Sequence, residues 1–412
     1  MYKIPPPLNE PTQLQKVIDN EKDKRLSDDS RERSNSFLVR NVVEPVIKED
    51  DSPLSAPVFQ PESSYPFTPF TPSYYPQFTS FTPQQIYTNA LDMAKDQGGC
   101  RLLQQKLDEG NTFALQAILE QVFPQLPKLM PHPFGNYLCQ KLFEVLDKNS
   151  LLSVIDQVSP FLAEMALDTH GTRSVQKLIS VAKVYPDLIY RLLPSIEKDS
   201  ITLINDLNGN HVIQRCLQEL GAPYDQFVYE TAGKHLVEIA THKHGCCVLQ
   251  RCIDAATHGQ REALVDKIIE NAVRLVQDAF GNYVVQYVID LENPENNARL
   301  ALIFIGHMEE LATQKFSSNV IEKCLQKNSE DMQHEMIKAI GSPAYVAKLV
   351  VDQYANYVVQ RALSLADPAT RSKILKEIKV KSEEVKRSQF GSRIYIKLSK
   401  QYPEMNKKRI TN

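Results

Sequence analysis

The sequence predicts an all-α solenoid, a row of short helical units that bury their apolar faces by stacking on one another. Three observations point to it. One five-residue phrase recurs nine times, at Cys100 (CRLLQ), Asn136 (NYLCQ), Thr172 (TRSVQ), Asn210 (NHVIQ), Cys246 (CCVLQ), Asn282 (NYVVQ), Ser318 (SNVIE), Asn356 (NYVVQ) and Ser392 (SRIYI). Successive copies are 36, 36, 38, 36, 36, 36, 38 and 36 residues apart, a period that marks stacked repeats. Between phrases, apolar residues recur at helical spacing, as in Ala263, Leu264, Val265, Ile268, Ile269, Ala272, Val273, Leu275 and Val276. Prolines 124, 127, 131, 160, 186 and 223 fall between units, where inter-helix turns belong.

Taken in order, the chain divides into an arm, the repeats and a tail. Its 412 residues exceed one ordinary domain, and 42% apolar residues can build a substantial core. Residues 1–85 hold 13 of the 25 prolines and none of the 14 glycines, with no helical periodicity; a disordered arm is expected there. In it, Arg31 and Arg33 precede Ser36 as a basophilic kinase would prefer. The tract 66–83 repeats Phe-Thr-Pro at Phe67, Phe70 and Phe81, with Tyr74 and Tyr75 interleaved. Thr68, Thr71 and Thr82 there are candidate proline-directed phosphosites; the aromatic tract could dock a partner, but a low-complexity linker is the favoured reading. Residues 86–405 carry the repeats, and 406–412 read as a disordered tail.

Charge and cysteine usage narrow the class. The net charge is -3, all of it from residues 1–90 with 9 basic and 12 acidic side chains; the remaining 38 basic and 38 acidic residues cancel. General phosphate attraction is therefore not implied by the totals. A basic track would have to come from Lys141, Lys177, Arg215 and Arg251, each directly after a phrase and equally readable as a solvated helix residue. No apolar h-region follows Met1, and no apolar run approaches about 18 residues, the best being 300–305. The expectation is a soluble cytoplasmic or nuclear protein, monomeric and without a membrane partner, with the cytoplasm favoured. Seven cysteines, an odd number with several inside the phrases, argue against a disulfide framework.

The phrase itself carries the functional signal. Its first and fifth places stand four residues apart, which on a helix puts both side chains on one face, one turn apart. The two residues just before the fifth place, such as Val284 and Val285, face the body of the repeat. A capping role for Gly281 and Asn282 is the bland alternative, but it leaves the fifth-place Gln or Glu without a task. The second place holds Arg101, Tyr137, Arg173, His211, Cys247, Tyr283, Asn319 and Tyr357; six of these eight are flat groups of the kind that stack on an unpaired base. A polar pair plus a flat group, once per unit, suits base-by-base reading of single-stranded RNA.

These phrases resemble those of the Pumilio (PUF) family of RNA-binding proteins over about residues 90–400. DLNGNHVIQRCLQ at 206–218 and THKHGCCVLQRC at 241–252 are most similar to a fungal branch, and LDMAKDQGGCRLLQQKLDEG at 91–110 resembles a first repeat. The resemblance implies a right-handed, crescent-shaped α-solenoid of eight three-helix Pumilio repeats with terminal capping helices. The second helix of each repeat would line the concave RNA face. The ninth copy, with Ile396 in its fifth place, then reads as a cap.

Hydrogen-bonding capacity suggests a code. Asn with Gln suits uracil: Asn136/Gln140, Asn210/Gln214, Asn282/Gln286 and Asn356/Gln360. A small residue with Gln leaves room for adenine: Cys100/Gln104 and Cys246/Gln250, with Thr172/Gln176 only preferring it. Ser318/Glu322 suits guanine, whose N1–H and N2–H₂ a carboxylate accepts together. The resemblance places the 5′ end at the C-terminal repeat, giving 5′-UGUAUAUA with a soft sixth base. Cys247 cannot stack, and similar fungal members turn one base away near there, so a nine-base site is also compatible. The implied function is binding of mRNA 3′ untranslated regions and repression through a recruited deadenylase complex, without catalysis and without a cofactor.

Other chemistry has less support. His242, His244, Cys246, Cys247 and Cys252 match no ordinary structural zinc spacing. No phosphate-binding glycine loop, nucleophile elbow or paired acid and base is present. The rival classes are an armadillo-like protein-binding scaffold, which needs no reading pairs, and a PUF-like ribosome-assembly factor with degenerate pairs and a strongly basic charge.

Overall fold

The computed structural model describes residues 83–406. The arm up to residue 82, with Ser36 and the Phe-Thr-Pro threonines, and residues 407–412 lie outside them. Every described regular element is an α-helix or a short 3-10 helix. The first helix opens at Pro83, three residues ahead of the expected Ile86; proline is well suited to a first helical position, because that N–H has no intrahelical partner to lose.

Each repeat is a triplet of helices. In the fifth, a short helix Leu236–Ala240 leads into a middle helix Gly245–Ala255 and a third helix His258–Glu270. The eight middle helices are Gln97–Asp108, Gly135–Val145, Gly171–Ala182, Gly209–Glu219, Gly245–Ala255, Gly281–Asp290, Ser317–Lys327 and Ala355–Leu365, and each carries one phrase near its N-terminus. A ninth, Gln389–Gln401, carries the atypical copy and is followed by a 3-10 turn, Pro403–Asn406.

The described residues form two compact units, one of residues 83–288 with 315–320 and one of residues 289–314 with 321–406. In the first unit the middle helices of repeats one to five pack in series, each against the next. Hydrogen bonds also cross between repeats. Cys100 Sγ donates to Phe134 O (3.2 Å), Thr172 Oγ1 to Asn208 O (3.0 Å) and Asn208 Nδ2 to Leu167 O (2.8 Å). In the second unit Pro294–Gly306 packs on Glu330–Ile340, which packs on Ala355–Leu365, while Gln389–Gln401 lies on Val346–Val351. Buried Asn297 ties that unit together by donating to Ile289 O (3.2 Å) and Lys327 O (3.3 Å).

A repeated local device sets each middle helix. Four residues ahead of the phrase, Asp168, Asp206, Asp278 and Asp352 each accept two backbone N–H bonds at 2.8 Å, closing the turn into the helix. In repeat two His132 does the same through Nδ1, accepting from Phe134 N (3.2 Å) and Gly135 N (3.1 Å). Capping thus belongs to these residues and not to Gly281 and Asn282. Such a cap is worth about 0.5–2 kcal/mol.

The glycine at the head of the helix has a different role. A Cβ on Gly171 would stand 2.4 Å from Met165 O, on Gly245 2.4 Å from Ile239 O, and on Gly281 2.7 Å from Leu275 O. Each carbonyl lies six residues back on the short helix, so the middle helix rests with its backbone against that helix. Repeats seven and eight carry fully buried Ser317 and Ala355 there instead.

The stretch Lys148–Leu167 is long and apolar enough to span a membrane by length and composition. Here it is two helices, Lys148–Val158 and Leu162–Leu167, separated by a 3-10 turn containing Pro160, and Leu151, Val154, Ile155, Leu162 and Met165 are buried in the core. Its apolar side chains have protein partners.

Gly171→Ala should cost about 1–3 kcal/mol, because a backbone carbonyl has little room to yield. Gly259→Ala, where an added Cβ meets nothing within 4 Å, should be neutral or stabilising by up to about 1 kcal/mol. Thermal and urea unfolding of the two variants compares them; equal stability would contradict the backbone contact.

Candidate nucleic-acid interface

The helical spacing of the phrase sorts its five places by exposure. The first place is buried in all eight repeats, from Asn136 at 0% exposed to Asn210 at 5%. The third and fourth places fill the core, as Val284 and Val285 do at 0%, with only Leu102 of the first repeat half-buried. The second place points outward: Arg101, Tyr137, Arg173, Asn319 and Tyr357 are exposed, and His211, Cys247 and Tyr283 half-exposed. In the fifth place Gln104, Gln140, Gln176, Gln250, Gln286, Glu322 and Gln360 are half-buried, whereas Gln214 is buried. The ninth copy departs from this order, with Ser392 half-exposed and Ile396 exposed, which suits an end piece.

In six repeats the first-place side chain accepts a hydrogen bond from the fifth-place amide. Gln104 Nε2 donates to Cys100 Sγ (3.2 Å), Gln140 Nε2 to Asn136 Oδ1 (3.1 Å) and Gln176 Nε2 to Thr172 Oγ1 (3.2 Å). Gln214 Nε2 likewise donates to Asn210 Oδ1 (2.7 Å), Gln286 Nε2 to Asn282 Oδ1 (2.8 Å) and Gln360 Nε2 to Asn356 Oδ1 (3.0 Å). Gln104 and Gln360 also approach a main-chain oxygen of their own pair, Cys100 O and Asn356 O, each at 3.2 Å.

The asparagines are anchored in turn. Asn282 Nδ2 donates to Asp278 O (2.8 Å) and Ala279 O (2.9 Å), and Asn136, Asn210 and Asn356 make the same two bonds in their own repeats. Both amide protons of each asparagine are thereby occupied. What remains to meet a ligand is the glutamine, with Oε1 as acceptor and one Nε2 proton as donor.

The two members of each pair therefore differ in how they are tied into the protein. In Asn136/Gln140, Asn210/Gln214, Asn282/Gln286 and Asn356/Gln360 the asparagine is anchored to the backbone and in turn holds the glutamine. Gln104 and Gln176 each commit one amide proton to the small partner that was expected only to make room. The physical reason is the same throughout: a buried first-place oxygen or sulfur needs a donor, and the amide one turn on is within reach.

Repeats five and seven break the pattern. Among the described residues no hydrogen bond joins Gln250 to Cys246; Cys246 Sγ donates to Lys243 O (3.3 Å) instead, and the Cys247 sulfur lies 4.0 Å from it. Gln250 is thus the one fifth-place glutamine not tethered to its first-place partner. In repeat seven Glu322 has no proton to give Ser318, whose hydroxyl donates to Lys315 O (3.4 Å). The Glu322 carboxylate lies 3.8 Å from Arg361 Nε, and burial raises its pKa while that guanidinium opposes the rise.

Second-place groups of neighbouring repeats come within reach of each other. Arg173 Nη1 donates to Tyr137 Oη at 3.3 Å, across 36 residues of sequence. Two flat groups that approach from successive repeats can hold a planar base between them.

The candidate basic track is largely compensated within the protein. Lys141 pairs with Asp108 and with Glu144 (3.0 Å), Lys177 with Glu144, and Lys323 with Asp290 (2.6 Å). In three of these pairs, Lys141–Asp108, Lys177–Glu144 and Lys323–Asp290, the acid sits 33 residues back, in the preceding repeat. Arg215 meets Glu219 (2.8 Å) and Arg251 meets Asp254 (3.1 Å). Exposed pairs like these add about 0–1 kcal/mol each, so they matter more for cancelling charge than for stability. The Asp caps are visible in the sequence as Asp-x-x-Gly or Asp-x-x-Ala ahead of five phrases, that of Asp96 included. Among the described residues no group of three or more His, Cys, Asp or Glu side chains is arranged to hold a metal ion.

Comparison with known proteins agrees with this architecture. The model of the Pumilio-family RNA binding repeat matches eight times, at residues 89–123, 125–159, 162–183, 201–224, 235–269, 271–301, 307–340 and 345–379. A Pumilio domain-containing protein of Schizosaccharomyces pombe is 39% identical over 323 residues, 78% of this chain and 47% of that protein. Pumilio homolog 9 of Arabidopsis thaliana is 43% identical over 297 residues, 71% of this chain and 52% of that protein. The chain thus spans about half the length of these relatives. Among solved structures, the Puf4 RNA binding domain bound to an HO endonuclease RNA 3′ UTR recognition sequence has a TM-score of 0.64 at 36% identity, covering 74% of this chain and 96% of that one. Yeast Puf5p bound to SMX2 RNA has a TM-score of 0.64 at 28% identity, covering 77% and 97%. With eight repeat matches, one on each helical triplet, this chain belongs to the Pumilio (PUF) family of RNA-binding repeat proteins.

Proposed function

We propose that this protein binds single-stranded RNA of the form 5′-UGUAUAUA in mRNA 3′ untranslated regions and represses the bound messages. The observation that carries the reading is the anchored glutamine, repeated in six units at one place of the middle helix and oriented by a buried first-place side chain. A glutamine so held, such as Gln140 or Gln360, accepts from uracil N3–H through Oε1 and donates to a uracil carbonyl through Nε2. Where Cys100, Thr172 or Cys246 replaces asparagine beside Gln104, Gln176 or Gln250, the smaller side chain leaves room for a purine. Glu322 accepts from guanine N1–H and N2–H₂ together, which no amide does as well. The second-place groups stack on the bases, each stack worth about 1–3 kcal/mol.

Repression through a recruited deadenylase complex, action as a cytoplasmic monomer and an RNA direction with its 5′ end at repeat eight extend this reading from the family resemblance. The RNA-bound Puf4 and Puf5p structures support the choice of ligand class.

Affinity for an RNA containing UGUAUAUA, compared near physiological salt with the same RNA carrying C for its G, tests the proposal. Loss of at least about 1–3 kcal/mol with that one base is expected. Equal, weak and steeply salt-dependent binding to both would leave only backbone attraction and sink the reading. In the same assay Ser318→Asn with Glu322→Gln should move the preference at the second base from G to U; an unchanged preference would remove Glu322 from its assigned base.

Acidity gives a further check. Guanine needs Glu322 ionised, but burial raises its pKa and so favours the protonated form in the free protein. As pH falls from neutrality, the preference for G over C at the second base should therefore shrink before ordinary exposed carboxylates titrate. Glu322→Gln should show no such dependence over that range, and a flat profile in the unmodified chain would contradict the assignment.

A further inference from the structure

Six of the seven cysteines are buried; the exception, half-exposed Cys247, stands in the second place of repeat five. Its neighbour in the chain is a second thiol, and the two sulfurs lie 4.0 Å apart on the first turn of the middle helix. The Cys246 proton has two acceptors in reach, Lys243 O at 3.3 Å and the Cys247 sulfur. Cys247 in its thiol form can also donate to Lys243 O, at 3.9 Å. When Cys247 ionises, the Cys246 S–H can turn to the new thiolate. Arg251, one helical turn on, adds positive charge on the same side while paired with Asp254 at 3.1 Å.

We propose that Cys247, with Cys246 as its hydrogen-bond partner, is a thiolation site at which a low-molecular-weight disulfide reversibly switches off RNA binding. The inference rests on the reading of the middle helices as the RNA-binding face. The Cys247 thiolate attacks one sulfur of a disulfide such as oxidised glutathione. A new S–S bond forms to that sulfur, the original S–S bond breaks, and the second glutathione leaves with the electron pair as a thiolate that takes a proton from water. A free thiol reverses the exchange by the same route.

Two features favour attack here. The Cys246 thiol and then Arg251 hold the Cys247 thiol below its ordinary pKa against the opposing effect of burial, so a larger share is the nucleophilic thiolate near neutrality. The adduct also has no easy internal exit. Closing a disulfide between adjacent cysteines needs sulfurs about 2.05 Å apart, and the unbroken helix Gly245–Ala255 keeps them at 4.0 Å. The neighbouring thiol and burial raise the pKa of Cys246, which keeps it a poor attacking group. The mixed disulfide therefore persists until an external thiol arrives.

The consequence for RNA follows from position. In six repeats the second place offers a flat group to a base, whereas a glutathionyl group on Cys247 would fill that space in the middle of the RNA track. Losing one base contact and its neighbour's stack should lower affinity at least about tenfold.

The test treats the full chain with oxidised glutathione, locates adducts by peptide mass spectrometry, and measures affinity for UGUAUAUA before treatment, after it and after dithiothreitol. One adduct on Cys247, a fall of about tenfold or more, and recovery on reduction are expected. Cys247→Ser, whatever its own starting affinity, should show a treated-to-untreated ratio near one. Adducts confined to other cysteines, or a Cys247 adduct with unchanged affinity, would overturn the switch. If the untreated chain does not bind UGUAUAUA, the RNA reading fails, and the peptide map alone then decides whether Cys247 is a thiolation site.

Discussion

Much of this molecule depends on one close approach, that of the glycine heading a middle helix to the carbonyl six residues before it. With no Cβ in the way, the short helix can end almost in contact with the next backbone, as at Gly171 and Gly245. The cap residue three positions before that glycine, Asp168 in the third repeat, then fixes the direction in which the new helix starts. From that start, helical geometry alone sends the first place of the phrase inward, the second outward and the fifth to the half-buried rim. The placement of the phrase's side chains is set by backbone packing.

The anchored amides show why the first place is buried although it is polar. An unpaired amide under the surface would cost about 1–3 kcal/mol. Asn282 avoids this by spending both protons on the turn that precedes it and its oxygen on Gln286. The glutamine loses rotamer freedom on folding, so less is left to lose when a base arrives, the usual advantage of preorganisation. Glu322 is the exception, held near Arg361 and able to act only as an acceptor when ionised.

Much of this was legible in the sequence because it is periodic. The ladder from Cys100 to Ser392 located all nine phrase-bearing helices, and the four-residue offset placed the polar pairs on one turn. What escaped notice depends on distance and on direction. Offsets within one phrase do not reveal that Lys177 meets Glu144 in the repeat before. Nor do they show that Asn210 gives its amide protons to the backbone, or that Gln176 is tied to Thr172 while Gln250 is not tied to Cys246. Composition alone likewise does not show that residues 148–167 break at a turn around Pro160 and pack their apolar side chains into the core.

The different burdens on the three places bear on how such a protein could change what it reads. A first-place asparagine holds up two backbone carbonyls and a neighbour, so replacing it disturbs the helix start as well as the ligand. The fifth and second places have lighter structural duties. Drift in specificity should then begin at the rim and reach the buried partner only afterwards. Intermediates along that path would keep their fold while their preference blurs, which lets a lineage explore new targets one repeat at a time.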